Sequence, residues 1–281
     1  MAMAYDRHRP GKGIRMADIS ERRTELRHAF EHAMGYWNPT CEQVLDASPD
    51  WFEVRLDYLA VPWRTGGLCP KVNEFIYITL NASTAHLHEP ALRVHIANAL
   101  RLGASAAEIL EVFQIISILG IHSMMLSMPI LLEEAKTNGR MIDVTQLTPR
   151  QARIKADFEA SRGYWPPFWD AILVLTPNFF EAHERLGAGP REHGTLGAKV
   201  RELIQIALDA STTHLWASGV RVHTRAALQH GATVEEIVEV LELTSVLGTQ
   251  SVTFGVPILL EEVAKFTQAA DAANGGTDAR S

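Results

Sequence analysis

The chain has 281 residues, of which 47% are hydrophobic and 21% are charged, and its formal net charge is −7. This composition is typical of a soluble globular protein long enough for two domains, and its acidic balance gives no reason to expect a nucleic-acid partner. We find no targeting segment and no apolar run that looks long and continuous enough to span a bilayer, so a cytoplasmic protein without a membrane partner is expected.

In chain order, residues 1–20 are predicted to form an N-terminal arm, and the sequence then reads as helix. A lead-in with the letters GYWNP precedes a helix over 72–82, in which Phe75, Ile78 and Ala82 recur at helical spacing. Pro90 suits the first turn of a second helix over 91–102. The fold class predicted by this pattern is all-α.

The third and fourth helices have clear start and stop signals. Gly103 is a C-terminal stop for the second helix. Ser105 followed by Glu108 is a capping box that begins the third helix, because each side chain can bond the backbone N–H of the other. Gly120 separates the third helix from a fourth.

The whole pattern then occurs a second time. Residues 71–134 fall on residues 199–262 without a gap, and roughly half of the positions are identical. A repeat this long indicates one duplicated module rather than a solenoid of short units. We therefore predict a first module over 21–140, a second over 149–268 and a C-terminal tail over 269–281. A site built from one copy should have a counterpart in the other.

Two kinds of repeated polar residue are candidates for chemistry. The first helix of each copy has a polar stripe, which is either solvated surface or the wall of a site. Its members are Glu74, Tyr77 and Asn81 in the first copy and Glu202, Gln205 and Asp209 in the second. Two pairs of histidines also recur at equivalent positions: His86 with His214, and His95 with His223.

A carboxylate beside an imidazole can position a proton donor near neutral pH. The combination of Glu74 with His95, and of Glu202 with His223, is therefore the candidate catalytic set. The alternative is that these histidines are core or interface residues hydrogen-bonded to backbone carbonyls. Arg93 and Arg221 lie about 200° around the helix from the histidines that follow them, so they could hold a substrate carboxylate only from a neighbouring pocket. Their other possible role is a surface salt bridge, for example with Glu89.

No metal or cofactor is predicted from the motifs. A His86-x-His88 pair with Glu89 could suggest metal ligands, but the second copy has Trp216 in place of His88 and lacks the acidic residue. HExxH, CxxC, P-loop, GxGxxG and GxSxG patterns are absent from the sequence. Cys41 and Cys69 occupy unrelated positions, which argues against a disulfide framework.

The letters RVHIANALRLGASAAEILEV and RVHTRAALQHGATVEEIVEV resemble the carboxymuconolactone decarboxylase and AhpD-like superfamily. The resemblance implies an all-α fold in which helical modules pair, so a tandem chain would be an intramolecular pseudo-dimer. Because single-module members assemble as trimers or hexamers, it also implies a homo-oligomer, with a trimer favoured.

The resemblance also separates two chemistries. The alkylhydroperoxidase branch needs a CxxC dithiol, but the corresponding segments here read STAHLHE and STTHLWA, so that activity is disfavoured. The decarboxylase branch is cofactor-free and acts on small cyclic carboxylic acids or lactones such as 4-carboxymuconolactone, in the catabolism of aromatic compounds. By this resemblance His95 and His223 would donate the proton or stabilise an oxyanion, and Glu74 and Glu202 would orient them. The substrate-binding set would be His86, His214, Arg93 and Arg221.

A non-enzymatic function on the same fold is the main alternative. The modules could be a helical assembly scaffold or a ligand-binding protein, since a fold does not specify a function. An enzyme should have its repeated carboxylates and histidines in a polar-lined pocket, whereas a scaffold should have them in packed cores or on open surface. The copies also differ at His88 against Trp216 and at His122 against Gln250, so their sites need not be equivalent.

Overall fold

The computed structural model describes residues 16–275, and every regular element in that range is helical, as the sequence predicts. Residues 1–15 and 276–281, which include most of the predicted arm and part of the predicted tail, lie outside the described residues. The helices are α1 (Met16–Met34), α2 (Pro39–Ala47), α3 (Pro49–Thr65), α4 (Pro70–Ala82), α5 (Glu89–Arg101), α6 (Ala106–Ser117), α7 (Ile121–Thr137), α8 (Pro149–Arg162), α9 (Trp169–Leu175), α10 (Pro177–His193), α11 (Ala198–Ala210), α12 (Ala217–Gln229), α13 (Val234–Ser245) and α14 (Gln250–Gly275).

The predicted helix boundaries follow from local chemistry. Ser105 and Glu108 form the capping box at the start of α6, with bonds of 3.1 and 2.8 Å, and the equivalent box begins α13. Gly103 and Gly231 follow α5 and α12 with φ values of +83° and +82°, a conformation that glycine adopts without a Cβ clash. Single 3₁₀ turns, Ile118–Gly120 and Val246–Thr249, separate α6 from α7 and α13 from α14. Helix α14 extends to Gly275, into the segment that the sequence assigns to the tail.

The chain forms two compact units whose boundaries differ from those of the sequence repeat. Within the described range, one unit consists of residues 67–245 and the other of residues 16–66 with 246–275. At the centre of the first of these, α4 packs against α11, α13 contacts α4, and α6 contacts α11. The two copies thus pair through their equivalent helices, as in the pseudo-dimer that the resemblance implies.

Two buried glutamates make this pairing reciprocal. Glu111 on α6 accepts hydrogen bonds from the backbone N–H groups of Thr195 (2.5 Å) and Leu196 (2.8 Å), just before α11. Its repeat equivalent, Glu239 on α13, accepts a hydrogen bond of 2.8 Å from the backbone N–H of Leu68, just before α4. Each copy therefore supplies the carboxylate that satisfies backbone donors near a helix start of the other copy.

An aromatic cluster fixes the second lead-in within residues 67–245. The ring of Phe158 on α8 lies 5.2 Å from that of Trp165 and 5.9 Å from that of Phe180 on α10, centroid to centroid. Helix α9 packs on α7, so the lead-in of the second copy covers the last helix of the first copy.

The other unit contains the equivalent aromatic cluster. Phe30 on α1 lies 5.3 Å from Phe52 on α3 and 5.7 Å from Trp37, and all the surface of Phe30 and Phe52 is buried. Helix α14 packs on α2. The lead-in of the first copy thus covers the last helix of the second, which is why the compact units do not follow the repeat boundaries.

Two helical stretches, 106–137 and 234–270, are long and apolar enough to cross a bilayer by length and composition, with mean hydropathies of 2.0 and 1.4. The sequence expectation is that the apolar runs are too short or too interrupted to span a bilayer. By length and composition they are not too short, and a 3₁₀ turn interrupts each stretch. Only 28% and 22% of the two apolar windows are buried. Core and interface helices of globular proteins can have the same length and composition, so this feature by itself assigns no membrane role.

Candidate active site

The predicted carboxylate–imidazole pair is present in the first copy. Glu74 on α4 is buried, and its Oε2 lies 2.7 Å from Nδ1 of His95 on α5. The Asn98 side-chain amide donates to the other carboxylate oxygen at 3.1 Å, and the ring of Tyr77 stacks on the imidazole at 4.4 Å. These contacts fix the ring so that Nε2 is the nitrogen available to a ligand. The polar stripe is therefore buried in this copy rather than solvated surface.

The second copy repeats the pair with different neighbours. Oε2 of Glu202 on α11 lies 2.7 Å from Nδ1 of His223 on α12. Nε2 of His223 lies 3.8 Å from Oδ2 of Asp209, which occupies the repeat position of Asn81. The sequence left open that these histidines are core residues hydrogen-bonded to backbone carbonyls. In the structure, Nδ1 of each histidine contacts a carboxylate instead.

A strained turn places the other repeated histidines. Leu87 and Leu215 have φ values of +36° and +53°, the only positive values at non-glycine residues in the described range. Left-handed backbone is costly for residues with a Cβ and is often found near functional sites. The turns are held to the preceding helices by 2.8 Å backbone bonds that end on Asn81 and Asp209.

The two turn histidines have different surroundings. His86 stacks on His88, with ring centroids 5.6 Å apart. Burial, followed by the neighbouring His86 and His95, lowers the pKa of His88. In the second copy, Nε2 of His214 lies 2.6 Å from Nδ1 of His122 on α7, a residue of the first copy.

The arginines assigned to substrate binding lie apart from these groups. The Arg93 side chain is 77% exposed and pairs with Glu89 at 2.6 Å, which is the surface salt bridge that the sequence offered as its other role. Arg221 is exposed and lies in a shallow depression on the outer face of α12, away from His223. A substrate-binding role for either arginine would need a group from another chain.

A cavity of about 90 Å³ lies beside His223. Its polar wall contains residues from both copies and from the second lead-in: His122, Asp209, His223, Arg162, His183, Glu184 and Gln205. Its apolar wall includes Ile118, Met125, Phe158, Trp169, Trp216 and Val222. The second copy therefore has a polar-lined cavity that contains one of the predicted catalytic histidines.

Burial shifts the titration of three groups in or beside this cavity. Burial raises the pKa of Asp209 to about 7, against the opposing effect of His223. Burial, then the positive charge that His214 and His223 can carry, lowers the pKa of His122 to about 4. Burial also lowers the pKa of His214. Near neutral pH both imidazoles of the 2.6 Å pair are therefore neutral.

Sequence reasoning identified the Glu–His pairs but missed the wider cavity. In the sequence, Asp209 is only one member of the polar stripe, and His122 stands out only as a difference from Gln250. His183, Glu184 and Arg162 gave no signal, because they lie in the lead-in and their repeat equivalents are Arg55, Leu56 and Met34. Two of them, Glu184 and Arg162, are polar residues confined to one copy, and that difference is the signal that the sequence does offer.

The structure thus has a duplicated all-α module, a carboxylate–histidine pair in each copy and no thiol pair at the turn. These features define a class of proteins, and comparison with known proteins identifies it. The family model of the carboxymuconolactone decarboxylase family matches residues 49–121 and 177–258, more than half of the chain. The chain belongs to the carboxymuconolactone decarboxylase family.

One solved structure is similar over nearly its whole length. It is a protein of Burkholderia xenovorans LB400 that is provisionally described as a gamma-carboxymuconolactone decarboxylase subunit. The two chains are 34% identical with a TM-score of 0.83, over 86% of this chain and 98% of that one. No functionally curated protein matches the sequence.

Proposed function

We propose that the protein is a decarboxylase of a small cyclic carboxylic acid or lactone, and that the Glu74–His95 and Glu202–His223 pairs supply its proton. The observation that carries this proposal is the recurrence of the same 2.7 Å Nδ1–carboxylate contact in both copies. Family membership and the description of the Burkholderia protein support the class of reaction.

The reaction makes limited demands on the protein. When the bond between the ring carbon and the carboxylate breaks, CO₂ leaves and its electron pair passes into a conjugated carbonyl group. The resulting enolate then takes a proton at carbon from the imidazolium Nε2 of His95 or His223, and the imidazole regains a proton from solvent. Glu74 or Glu202 holds Nδ1 and stabilises the charged ring, so that Nε2 points toward the ligand.

Arg162 is the group best placed to orient a substrate carboxylate in the second copy. It lines the cavity, its guanidinium lies 3.2 Å from Glu184, and its buried Nε has no hydrogen-bond partner. The Arg162 side chain is 24% exposed, so this guanidinium with an unused donor can bind a carboxylate at a small further cost of desolvation. Arg162 therefore takes the role that the sequence gave to Arg221.

The reaction on 4-carboxymuconolactone, followed by ultraviolet absorbance, tests the proposal. We expect the His95→Gln/His223→Gln double variant to lose at least about 100-fold in kcat, the usual contribution of a positioned proton donor. The exposed His230 provides the matched control, since His230→Gln changes the same residue type outside the cavity. Turnover should survive a thiol-blocking reagent, because neither Cys41 nor Cys69 lies at the turn.

The single variants show which copy works. If both sites act, His95→Gln and His223→Gln should each retain about half of the activity; if one acts, only its own variant loses it. Unchanged turnover in a folded double variant would refute the proton-donor assignment. Absence of turnover by the wild-type protein over a panel of small cyclic carboxylic acids would favour the ligand-binding alternative. The cavity beside His223 favours the enzyme, because a scaffold needs no such cavity.

We further propose that the protein is cytoplasmic and assembles as a homo-oligomer, with a trimer favoured. The Burkholderia relative is described as a subunit. Helices α7 and α14 expose large apolar side chains that an assembly would cover, among them Leu126, Ile130, Phe254 and Phe266. Sedimentation analysis of the full chain tests the stoichiometry.

A further inference from the structure

Three metal-ligating atoms converge at the edge of the second copy's cavity, in addition to its Glu–His pair: His122 and Asp209 line the cavity, and His214 lies beside them. Nδ1 of His122 and Nε2 of His214 lie 2.6 Å apart, and Oδ1 of Asp209 lies 3.6 Å from the first and 3.9 Å from the second. Ligand atoms around a tetrahedral ion with bonds of about 2.0–2.2 Å lie about 3.3–3.6 Å apart. The observed triangle has nearly that size, and a shift of less than about 1 Å in one imidazole would complete it.

The structure assigns to these three residues a binding site for one divalent transition-metal ion. Two imidazoles and one carboxylate suit Zn²⁺ and its neighbours in the first transition series, whereas Mg²⁺ and Ca²⁺ prefer oxygen ligands. With three protein ligands, such an ion keeps a coordination position open toward the cavity. That position could take a substrate carboxylate or carbonyl oxygen.

The carboxylate of Asp209 gives a second, independent indication of a ligand. The residue is 1% exposed, lines the cavity, and its Oδ2 has no hydrogen-bond partner. In the described part of the chain, the basic side chains with a nitrogen within 4 Å of it are the imidazoles of His122, His214 and His223. A buried carboxylate without a full positive partner is costly, and a bound dication would remove that cost.

The chain also makes room for this carboxylate. Gly219 at the start of α12 lies so close that a Cβ there would be 2.0 Å from Oδ2 of Asp209 and 2.5 Å from Cδ1 of Trp216. The repeat equivalent of Gly219 is Ala91, and that of Asp209 is Asn81. Asp209, which a cation would need, and Gly219, which leaves space for the Asp209 carboxylate, therefore occur in the same copy.

The repeat equivalents supply an internal comparison. His86 is retained at the position of His214, but Asn81 stands at that of Asp209, and the second copy has Gln250 at the position of His122. An amide binds transition metals far less well than a carboxylate or an imidazole. The expected stoichiometry is thus one ion per chain. The inference does not rest on the proposed decarboxylation, since the first copy's Glu74–His95 pair can act without a metal.

Isothermal titration of chelator-treated protein with ZnCl₂ tests the site directly. We expect one Zn²⁺ per chain, and at least about a 100-fold weaker binding in Asp209→Asn and His122→Gln, each of which introduces the residue found in the other copy. His86→Gln is the matched control, because it changes the repeat equivalent of His214 and should leave the titration unchanged. Circular dichroism confirms that each variant is folded.

Cobalt substitution gives a readout that does not depend on heat of binding. Co²⁺ bound to a three-ligand site with an open position should show d–d absorption that is absent from Asp209→Asn. Zn²⁺ binding that is equal in wild-type and both variants would overturn the inference, and so would the absence of stoichiometric binding. A protein that decarboxylates normally but binds no Zn²⁺ would overturn the metal site alone and leave the proposed function in place.

Discussion

At the scale of single residues, the cavity of the second copy is rich in histidines that burial keeps uncharged. His183 on α10 lies against Trp169, with ring centroids 5.7 Å apart, and faces Glu184, Arg162 and Arg191. Burial is the largest cause that lowers the pKa of His183; Glu184 opposes it and the two arginines add to it. The folded protein therefore resists protonation of this ring, whereas the unfolded chain does not.

This difference predicts how stability depends on pH. Below about pH 6.5 the unfolded state binds a proton that the folded state does not, so the free energy of unfolding falls as the pH falls. The His183→Asn variant should lose less stability than the wild type between pH 7.5 and pH 5.5, as measured by urea denaturation with a chelator present. The exposed His193 serves as control. An equal loss in His183→Asn and wild type would show that His183 titrates normally.

At the scale of helices, the reciprocal contacts of Glu111 and Glu239 join the two copies more specifically than apolar packing can. Glu239 is 2% exposed and accepts hydrogen bonds from the backbone of Leu68 and from the Asn73 amide. Hydrogen bonds to a charged acceptor contribute more than neutral ones, and their loss leaves buried donors unpaired. The start of α4 should therefore depend on a side chain of α13.

Substitution of Glu239 measures this dependence. Glu239→Ala should lower the free energy of unfolding by about 3 kcal/mol, and Glu239→Gln, which keeps an acceptor, by about 1–2 kcal/mol. Glu235→Ala changes an exposed glutamate of the same helix and should cost less than about 0.5 kcal/mol. Chemical denaturation gives all three values. Equal effects at Glu239 and Glu235 would contradict the proposed coupling of the copies.

The helices and their ends could be predicted from sequence because their causes are local: apolar periodicity, capping boxes and glycines with positive φ. The Glu74–His95 pair could also be predicted, since duplication marked both residues and two adjacent helices carry them. The position of His122 beside His214 could not, because 92 residues separate them and a helix of the other copy brings them together. The orphaned oxygen of Asp209 likewise depends on a packed cavity, which no pattern in one helix reports.

At the scale of the whole chain, each lead-in covers the last helix of the other copy. Helix α9 packs on α7 in one compact unit, and α2 packs on α14 in the other. In each copy, the helix that the lead-in covers belongs to the other copy. The repeat unit of the sequence is therefore not a unit of folding.

Because each lead-in packs on a helix of the other copy, the behaviour of a separated copy can be predicted. A fragment of residues 16–148 should form a dimer, because α4 and Glu111 of one fragment can bind the equivalent surfaces of a second, with Leu68 in the place of Leu196. Multi-angle light scattering after size exclusion measures the mass, and Glu111→Ala in the fragment should shift it toward monomer or aggregate. A folded, monodisperse monomer would be inconsistent with the exchanged packing.

Fusion of the two copies also has an evolutionary consequence. In a dimer of identical chains, a mutation that places a carboxylate in one pocket places it in the other as well, and both must tolerate it. Covalent linkage removes this constraint, so position 209 can hold Asp with Gly219 beside it while position 81 holds Asn with Ala91. One gene can thus preserve an ancestral pocket under selection while the neighbouring pocket acquires a different chemistry.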